Sequence, residues 1–304
     1  MNKINPISFI RKNNDNNIIV PKEYNNGVIL LEFPTLEKTG IVSHCFSTRL
    51  GGVSQGIYSS MNLCYTRDDD PENVTENFRR LGAAKNWDIS DMVLSDQTHT
   101  TNVRVVTDED RGKGISREKD YRDVDGMITN VPGIVLSTIY ADCVPLYFVD
   151  VENKAIGLAH SGWKGTVNQI GKEVINAMKL NYNTDPQKLL CAIAPSICQG
   201  CYEVGADVAD EFKRTFKQDY TEIIKSRESV NGKPKFLLDL WKANEIVLTN
   251  AGVKAENISI TNICTCCNKE LLFSHRGSKG KRGNLGAFLS LRQGLSYRLK
   301  KSTT

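Results

Sequence analysis

Residues 133–150 read GIVLSTIYADCVPLYFVD, and residues 155–166 follow with AIGLAHSGWKGT. The first stretch is a strand, a break from Asp142 to Pro145 and a second strand; the next is a strand running into a glycine-containing turn. This is the most apolar part of the chain, and it predicts buried strands whose mouths carry Cys143 and His160. VNQIGKEVINAMKL comes directly after, with Val167, Ile170, Val174, Ala177 and Met178 on one helical face. Working outward, VILLEF, IVSHCFST, LLCAIAPSI and NISITNICT read as further strands. VLSDQTHTTNVRVVT gives two strand-like pieces around Gln97–Thr100. PENVTENFRRLGAAKNW places Val74, Phe78 and Leu81 at helical spacing, and VGADVADEFKRTF and FLLDLWKANEIVLTNAG are further helices, the last stopped by Gly252. DEDRGKGISREKDYRD is highly charged and without periodicity, which predicts a mobile loop. Residues 1–26, rich in Asn and Lys, read as an N-terminal extension with room for one strand. No repeat, low-complexity tract or linker interrupts the chain from Gly27 to Arg298, so residues 27–304 are expected to form one domain of mixed α and β structure.

The bulk composition excludes several function classes. With 39 basic and 35 acidic residues the formal charge is only +4, and no dense Lys/Arg stripe suggests a nucleic-acid partner. The short basic runs Ser278–Arg282 and Arg298–Lys301 read as solvated surface or tail. No window approaches the roughly 20 apolar residues of a membrane helix, and MNKINPISFIRKNNDNN lacks the apolar core of a secretory signal. Nine cysteines are an odd count in a chain long enough to bury a core without disulfides. A reducing cytoplasm is therefore the expected location.

The chain has four histidines, His44, His99, His160 and His275. Three of them stand where a predicted strand gives way to a loop, the place where rigid scaffolds hold reactive groups. Taken singly, each is as well explained by a packed or hydrogen-bonded imidazole, and Cys143 by a buried thiol. A His/His/Cys set nevertheless suits zinc, because imidazole and thiolate are both good ligands and three of them leave a fourth position open.

The motifs STRLGGVSQGIYSSMNL, DQTHTTNV, DVDGMIT, STIYADCVPLYFVD, IGLAHSGWKGTV, APSICQGCYEVG and ICTCCNKELLFSHRG occur in that order. Together they closely resemble the laccase-domain (YfiH-like) family, once filed as multicopper polyphenol oxidoreductases. Members of that family are described as purine nucleoside phosphorylases with adenosine deaminase and methylthioadenosine phosphorylase activities. The resemblance runs from about Gly27 to about Leu291. It implies a layered α/β/β/α sandwich of mixed sheets flanked by helices, of the α+β class.

By this resemblance His99, Cys143 and His160 are the family's zinc ligands, and Arg49 matches an arginine of its active site. Two departures stand out. Arg282-Gly283-Asn284 replaces the usual Thr-Gly-Arg, and His275 replaces the aromatic that commonly precedes the arginine of the Phe-Ser-x-Arg motif, here Arg276. The expected substrates are purine nucleosides and phosphate; the oligomeric state is left open.

Phosphorolysis requires a cation to hold phosphate and a site that excludes competing water. Arg49 is the first candidate, since a guanidinium fork matches phosphate oxygens; Lys164 is a second and Arg276 a third. Asp142 is placed to orient a ligand or take a proton, although a turn-forming Asp explains it equally. Three other readings compete. Multicopper phenol oxidation would need many more histidines in H-x-H pairs, though a soft His/Cys site can take copper. A cysteine hydrolase would use Cys143 as nucleophile and His160 as base. A non-enzymatic role as a partner in cell-envelope assembly is the third. Cys264, Cys266 and Cys267 read as packed thiols rather than a second metal site, because no matching second pair stands nearby in sequence, and the C-x-x-C of Cys198 and Cys201 lacks a thioredoxin-like context.

Overall fold

In the computed structural model, which describes residues 7–294, the central apolar runs become three strands divided between two sheets. The first sheet contains β1 (Val20–Glu23), β2 (Ile29–Glu32), β3 (Val42–Ser47), β4 (Met92–Leu94), β7 (Val135–Tyr140) and β15 (Leu285–Leu291), in the order β1-β2-β3-β15-β7-β4. The second contains β5 (Val103–Val105), β6 (Gly126–Thr129), β8 (Val144–Asp150), β9 (Ala155–Ser161), β10 (Leu190–Ile193) and β14 (Ile258–Ile260), in the order β14-β10-β8-β9-β6-β5. Both sheets are mixed: β4 runs parallel to β7, β5 to β6 and β10 to β14, while the other neighbours are antiparallel. A small third sheet joins β11 (Glu203–Val204), β12 (Ile224–Val230) and β13 (Lys233–Leu238).

The unbroken apolar character of the central strands has a direct cause. Along β8, Val144, Leu146 and Phe148 face one hydrophobic cluster while Tyr147 and Val149 face another. A strand alternates its side chains between two faces, so a run apolar at every position is covered on both. The inner cluster lies between the two large sheets, where Phe46, Leu136, Tyr140, Tyr147, Leu158 and Leu289 are buried.

Helices close the outer faces, which gives the expected α/β/β/α layering in a single α+β domain. Helix α2 (Pro71–Lys85) lays Val74, Phe78 and Leu81 on the first sheet, as their spacing predicts. Asp70 caps it by accepting from the Glu72 N–H, and Asn86 ends it in a left-handed conformation. Helices α4 (Ile170–Tyr182) and α7 (Leu240–Asn250) cover the second sheet, and α5 (Ala206–Phe216) packs against β13 and α3 beside them. Short α1 (Pro34–Glu37), α3 (Trp163–Val167) and α6 (Tyr220–Ile223) complete the set. The segment expected to be helical from Phe236 begins instead as β13. Asp239 accepts from the Lys242 N–H and caps α7 one residue before it starts, so the helix cannot extend back through the strand.

Three further expectations meet the structure. Residues 7–26 supply β1, and Phe9 and Ile19 are buried against the inner cluster. The charged stretch after Thr107 has little regular structure, as its lack of periodicity implies, but several of its charges are held in ion pairs. Lys113 bridges Asp110 and Asp120 at 2.8 Å each, Lys119 holds Asp96, and Arg111 holds Asp91 and Asp108. The basic run Ser278–Arg282 is not simply solvated surface, because Arg282 is buried; the run Arg298–Lys301 lies outside the described residues. Among the described residues no helix is long and apolar enough to cross a membrane.

Candidate active site

Two of the three expected ligands sit where the chain crosses from the first sheet to the second. His99 lies in the connection from β4 to β5, and Cys143 in the short turn from β7 to β8. His160 is the penultimate residue of β9, directly opposite Pro145 in the antiparallel register. Both crossings contain a residue with positive φ, His99 itself at 67° and Asp142 at 87°. Such backbone is strained for non-glycine residues and persists where surrounding contacts over-determine it. The Cys143 sulfur and one ring nitrogen from each histidine lie within 4.8 Å of one another. His160 is buried, Cys143 half-buried and His99 exposed, so the group is closed on one side and open on the other. Gly162 makes room for it: a Cβ there would fall 2.8 Å from His99 Cδ2 and 3.2 Å from Cys143 Sγ.

The residue that organises this group is Asp125, which the sequence reading did not single out although it lies in the DVDGMIT motif. Its fully buried carboxylate accepts from the N–H groups of Thr98, His99 and Thr100 and from the Thr100 hydroxyl. The same carboxylate meets His160 Nδ1 at 2.8 Å. It thus fixes both the loop that carries His99 and the ring of His160, turning the other His160 nitrogen toward Cys143. Burial alone would raise the Cys143 pKa, but the charge of His160 and hydrogen bonds from His160 and His99 outweigh it and bring it to about 6. Burial would likewise lower that of His160, yet Cys143 and Asp125 carry it to about 9. Gln97 braces the loop from the other side by pairing with the backbone N–H and C=O of Ile139. His44, by contrast, is a core residue: its Nε2 accepts from the Phe33 N–H, and burial holds its pKa down to about 3.

The three donors form part of the wall of a cleft of about 240 Å³, also lined by Cys64, Thr66, Arg67, Gln97, Tyr140, Arg282 and Asn284. Arg67 and Arg282 are its cations. Arg282 is largely buried, its Nε has no partner, and burial together with the like charge of Arg67 holds its pKa below the ordinary arginine value. Arg49, Lys164 and Arg276 do not line this cleft. The Arg49 guanidinium donates to the carbonyls of Ser59 and Lys269 and stacks on Phe273. Arg276 donates to the Cys201 and Glu203 carbonyls, and Lys164 projects from the exposed side of α3 over the Trp163 ring. The Asp142 carboxylate is engaged at both oxygens, by the Thr265 hydroxyl at 2.6 Å and the Arg276 N–H at 2.7 Å. It braces the turn next to Cys143. His275 is exposed and does not line the cleft.

Residues 43–292 match the family model described as multi-copper polyphenol oxidoreductase laccase. The chain belongs to this laccase-like family. Among its relatives are the purine nucleoside phosphorylase YlmD of Bacillus subtilis, 34% identical over 82% of this chain and 88% of the relative, and a purine nucleoside phosphorylase of Deinococcus radiodurans, 36% identical over 87% and 94%. Solved structures agree with the fold. YlmD of Geobacillus stearothermophilus superposes with a TM-score of 0.81 at 30% identity, covering 90% of this chain and all of that one. The YfiH protein of Bacillus licheniformis does so at 0.82 and 29%, covering 90% and 99%.

The multi-copper description sits uneasily with the donors this laccase-like chain brings together. Among the described residues, two groups of His, Cys and carboxylate side chains converge closely enough to hold an ion. The first is the His99, Cys143 and His160 group. The second corrects the sequence reading of the C-terminal cysteines: Cys264 and Cys267 do have a matching pair, Cys198 and Cys201, and all four sulfurs lie within 4.8 Å of one another. Cys266 is not part of this group.

Proposed function

We propose that the cleft is the active site of a zinc-dependent purine nucleoside phosphorylase that converts adenosine, inosine, guanosine or methylthioadenosine and phosphate into free base and the sugar 1-phosphate. The observation that carries this reading is the convergence of His99, Cys143 and His160 in a cleft that the Arg67 and Arg282 side chains also line. The names of the relatives supply the substrate class. Two imidazoles and a thiolate are a donor set that zinc accepts, with a position left for an exogenous group. A zinc ion held by His99, Cys143 and His160 would supply Lewis-acid polarisation there.

The chain's own residues account for much of the remaining work. In phosphorolysis the bond from the sugar C1′ to the base nitrogen breaks, the electron pair leaves with the base, and a phosphate oxygen bonds to C1′. Arg67 and Arg282 repel each other in the free chain, and a phosphate between them would relieve that repulsion while meeting the unpartnered Arg282 Nε. They take the anion-holding role in this proposal. Arg49 and Arg276 hold the loops around them, Asp142 positions Cys143, and Lys164 lies at the periphery. Asp125 keeps His160 in one tautomer and orientation. Hydrolytic deamination of adenosine at the same cleft is a second activity of the proposal: water would add to the ring carbon bearing the amine and ammonia would leave, and a metal held by His99, Cys143 and His160 would supply Lewis-acid help.

Incubating the purified chain with each nucleoside, with and without phosphate, and separating the products tests this directly. Free base formed only with phosphate supports phosphorolysis, and inosine from adenosine supports deamination. Neither product from folded, zinc-loaded protein overturns the proposal. A cysteine hydrolase has one observation in its favour: Asp125, His160 and Cys143 stand in line like an acid, a base and a nucleophile. The convergence of His99 on the same sulfur favours a metal. Protein prepared without a metal-affinity tag that is active yet metal-free would decide for the hydrolase.

A further inference from the structure

The second group of sulfurs lies apart from the cleft and plays no part in the chemistry above. Cys198 and Cys201 follow β10, and Cys264 and Cys267 follow β14. The two strands are parallel neighbours, and an isolated bridge continues their pairing from Ser196 to Cys264. Two C-x-x-C turns separated by 66 residues are thereby set face to face, with Cys201 Sγ and Cys267 Sγ 3.5 Å apart. All nine cysteines are free thiols.

We propose that Cys198, Cys201, Cys264 and Cys267 form a closed, tetrahedral, structural metal site for a single thiophilic divalent ion, zinc by preference. Three observations support it. First, all four sulfurs lie within 4.8 Å of each other. Zinc–sulfur bonds of about 2.3 Å at tetrahedral angles place sulfurs roughly 3.8 Å apart. A disulfide would draw in one pair and needs nothing of the other, while a polynuclear iron–sulfur cluster spreads its cysteines farther than one ion does.

Second, backbone N–H groups are aimed at the sulfurs. Cys264 Sγ accepts from Cys267 N at 3.4 Å and from Cys198 N at 3.3 Å. The first cysteine of the second turn thus accepts at sulfur from the last cysteine of its own turn and from the first cysteine of the other. Such donors stabilise sulfur that carries negative charge, and they orient thiolate ligands around an ion. Packed neutral thiols have little use for them.

Third, the Lys12 ammonium is set against Cys267 and Cys198. A tetrathiolate zinc site carries two net negative charges, and a neighbouring cation offsets part of that. Residues 10–12 are held there by Asn268, which pairs with the backbone N–H and C=O of Ile10, and by Lys12 N donating to Asn262 O.

The site also has a job in the fold. Thr265, inside the second turn, donates to the Asp142 carboxylate, and Ile197 N, beside the first, donates to the Asp142 carbonyl. An ion joining the two turns fixes both supports of the strained residue that precedes Cys143. With four protein ligands it has no open position, so its contribution is structural.

Metal analysis of tag-free protein, followed by variants, tests the assignment. Wild-type chain is expected to hold about two zinc equivalents if both centres fill, Cys143→Ala about one, and Cys266→Ser the same as wild type. Zinc-edge X-ray absorption on Cys143→Ala isolates the second site and should show four sulfur neighbours at about 2.3 Å. Cys198→Ser/Cys267→Ser should lose one equivalent and unfold at lower temperature. Because that variant can fail to fold, the Cys143→Ala spectrum decides the matter independently. The proposal is overturned if Cys143→Ala holds no tightly bound metal, if its zinc shows nitrogen or oxygen neighbours in place of four sulfurs, or if freshly prepared protein contains a Cys201–Cys267 disulfide.

Discussion

At the scale of single residues, the cleft depends on what is missing at position 162 as much as on its ligands. Gly162 has φ −72°, a conformation any residue adopts, so Gly162→Ala should fold normally. Its methyl group would nevertheless press on His99 and Cys143. We predict a folded variant that melts like metal-free wild type but whose zinc affinity and turnover both collapse; retention of wild-type affinity in a metal titration would refute the steric account. Asp125 permits a second prediction. In the metal-free chain Cys143 is ionised above about 6 and His160 stays protonated up to about 9. Zinc takes a neutral imidazole and a thiolate, so binding between those limits expels the His160 proton, and affinity should rise about tenfold per pH unit there. Below about pH 6 the rise should be steeper, because Cys143 must also lose its proton. Calorimetry in buffers of different ionisation heat counts the protons. Asp125→Asn withdraws part of what holds the His160 proton, narrows the window, and should weaken metal binding by roughly 10–100-fold. That His99, Cys143 and His160 converge was foreseeable from the sequence through the motifs that carry the family resemblance, since their spacing alone is a weak signal. Asp125 and Arg67 were not, since their importance arises only when separate loops meet. The four-cysteine group was hidden because Cys264 and Cys266 mimic a strand face, while the true partner pair lies 66 residues away.

At the scale of elements, His160 is held by the joint between β9, α3 and α7. The Ser161 hydroxyl donates to Asn244 Oδ1, and Asn244 Nδ2 donates to the Thr166 hydroxyl oxygen and the Leu240 carbonyl. Asn244 is buried, so Asn244→Ala would remove the Ser161 hydroxyl's acceptor and the Leu240 carbonyl's side-chain donor inside the core, leaving Ser161 only its contact with the Thr166 hydroxyl. A cost of about 1–3 kcal/mol is expected from groups left unsatisfied. Urea denaturation should show a lower midpoint at unchanged slope, and a midpoint within error of wild type would mean that water replaces the amide. Helices such as α2 and α4 were readable because one apolar stripe and a cap describe each of them. The strand β13 was read as helix because its apolar residues run straight into those of α7. Here Asn231-Gly232, both with positive φ, mark the β12–β13 hairpin by the chemistry such turns require. The β15 strand, central in the first sheet, shows the opposite difficulty: LGAFLSL is covered on both sides and has no alternation to announce it.

At the scale of the whole molecule, the cleft lies on the seam between the two sheets. His99 and Cys143 both occupy crossings from the first sheet to the second, His160 belongs to the second, and Arg282 leads into β15 of the first. The layering came from family resemblance, because periodicity reveals which face of an element is apolar but not which other face covers it. That position gives the metal a mechanical consequence. An ion bound by His99, Cys143 and His160 ties both crossings to the second sheet, and the unfolded chain, in which these residues are far apart, has no equivalent site. Binding must therefore stabilise the fold as a linked equilibrium. At free zinc about a hundredfold above the dissociation constant the gain is about 2.7 kcal/mol. For a domain of this size that corresponds to a melting temperature higher by roughly 5–10 °C. The test compares zinc-dependent melting of wild type with that of Cys143→Ala. The four-cysteine group is intact in both, so its contribution cancels, and the difference between them isolates the seam. If zinc raised both melting temperatures equally, the three residues would not be binding it in the native state, and the proposed catalytic centre would fall while the four-cysteine site could stand.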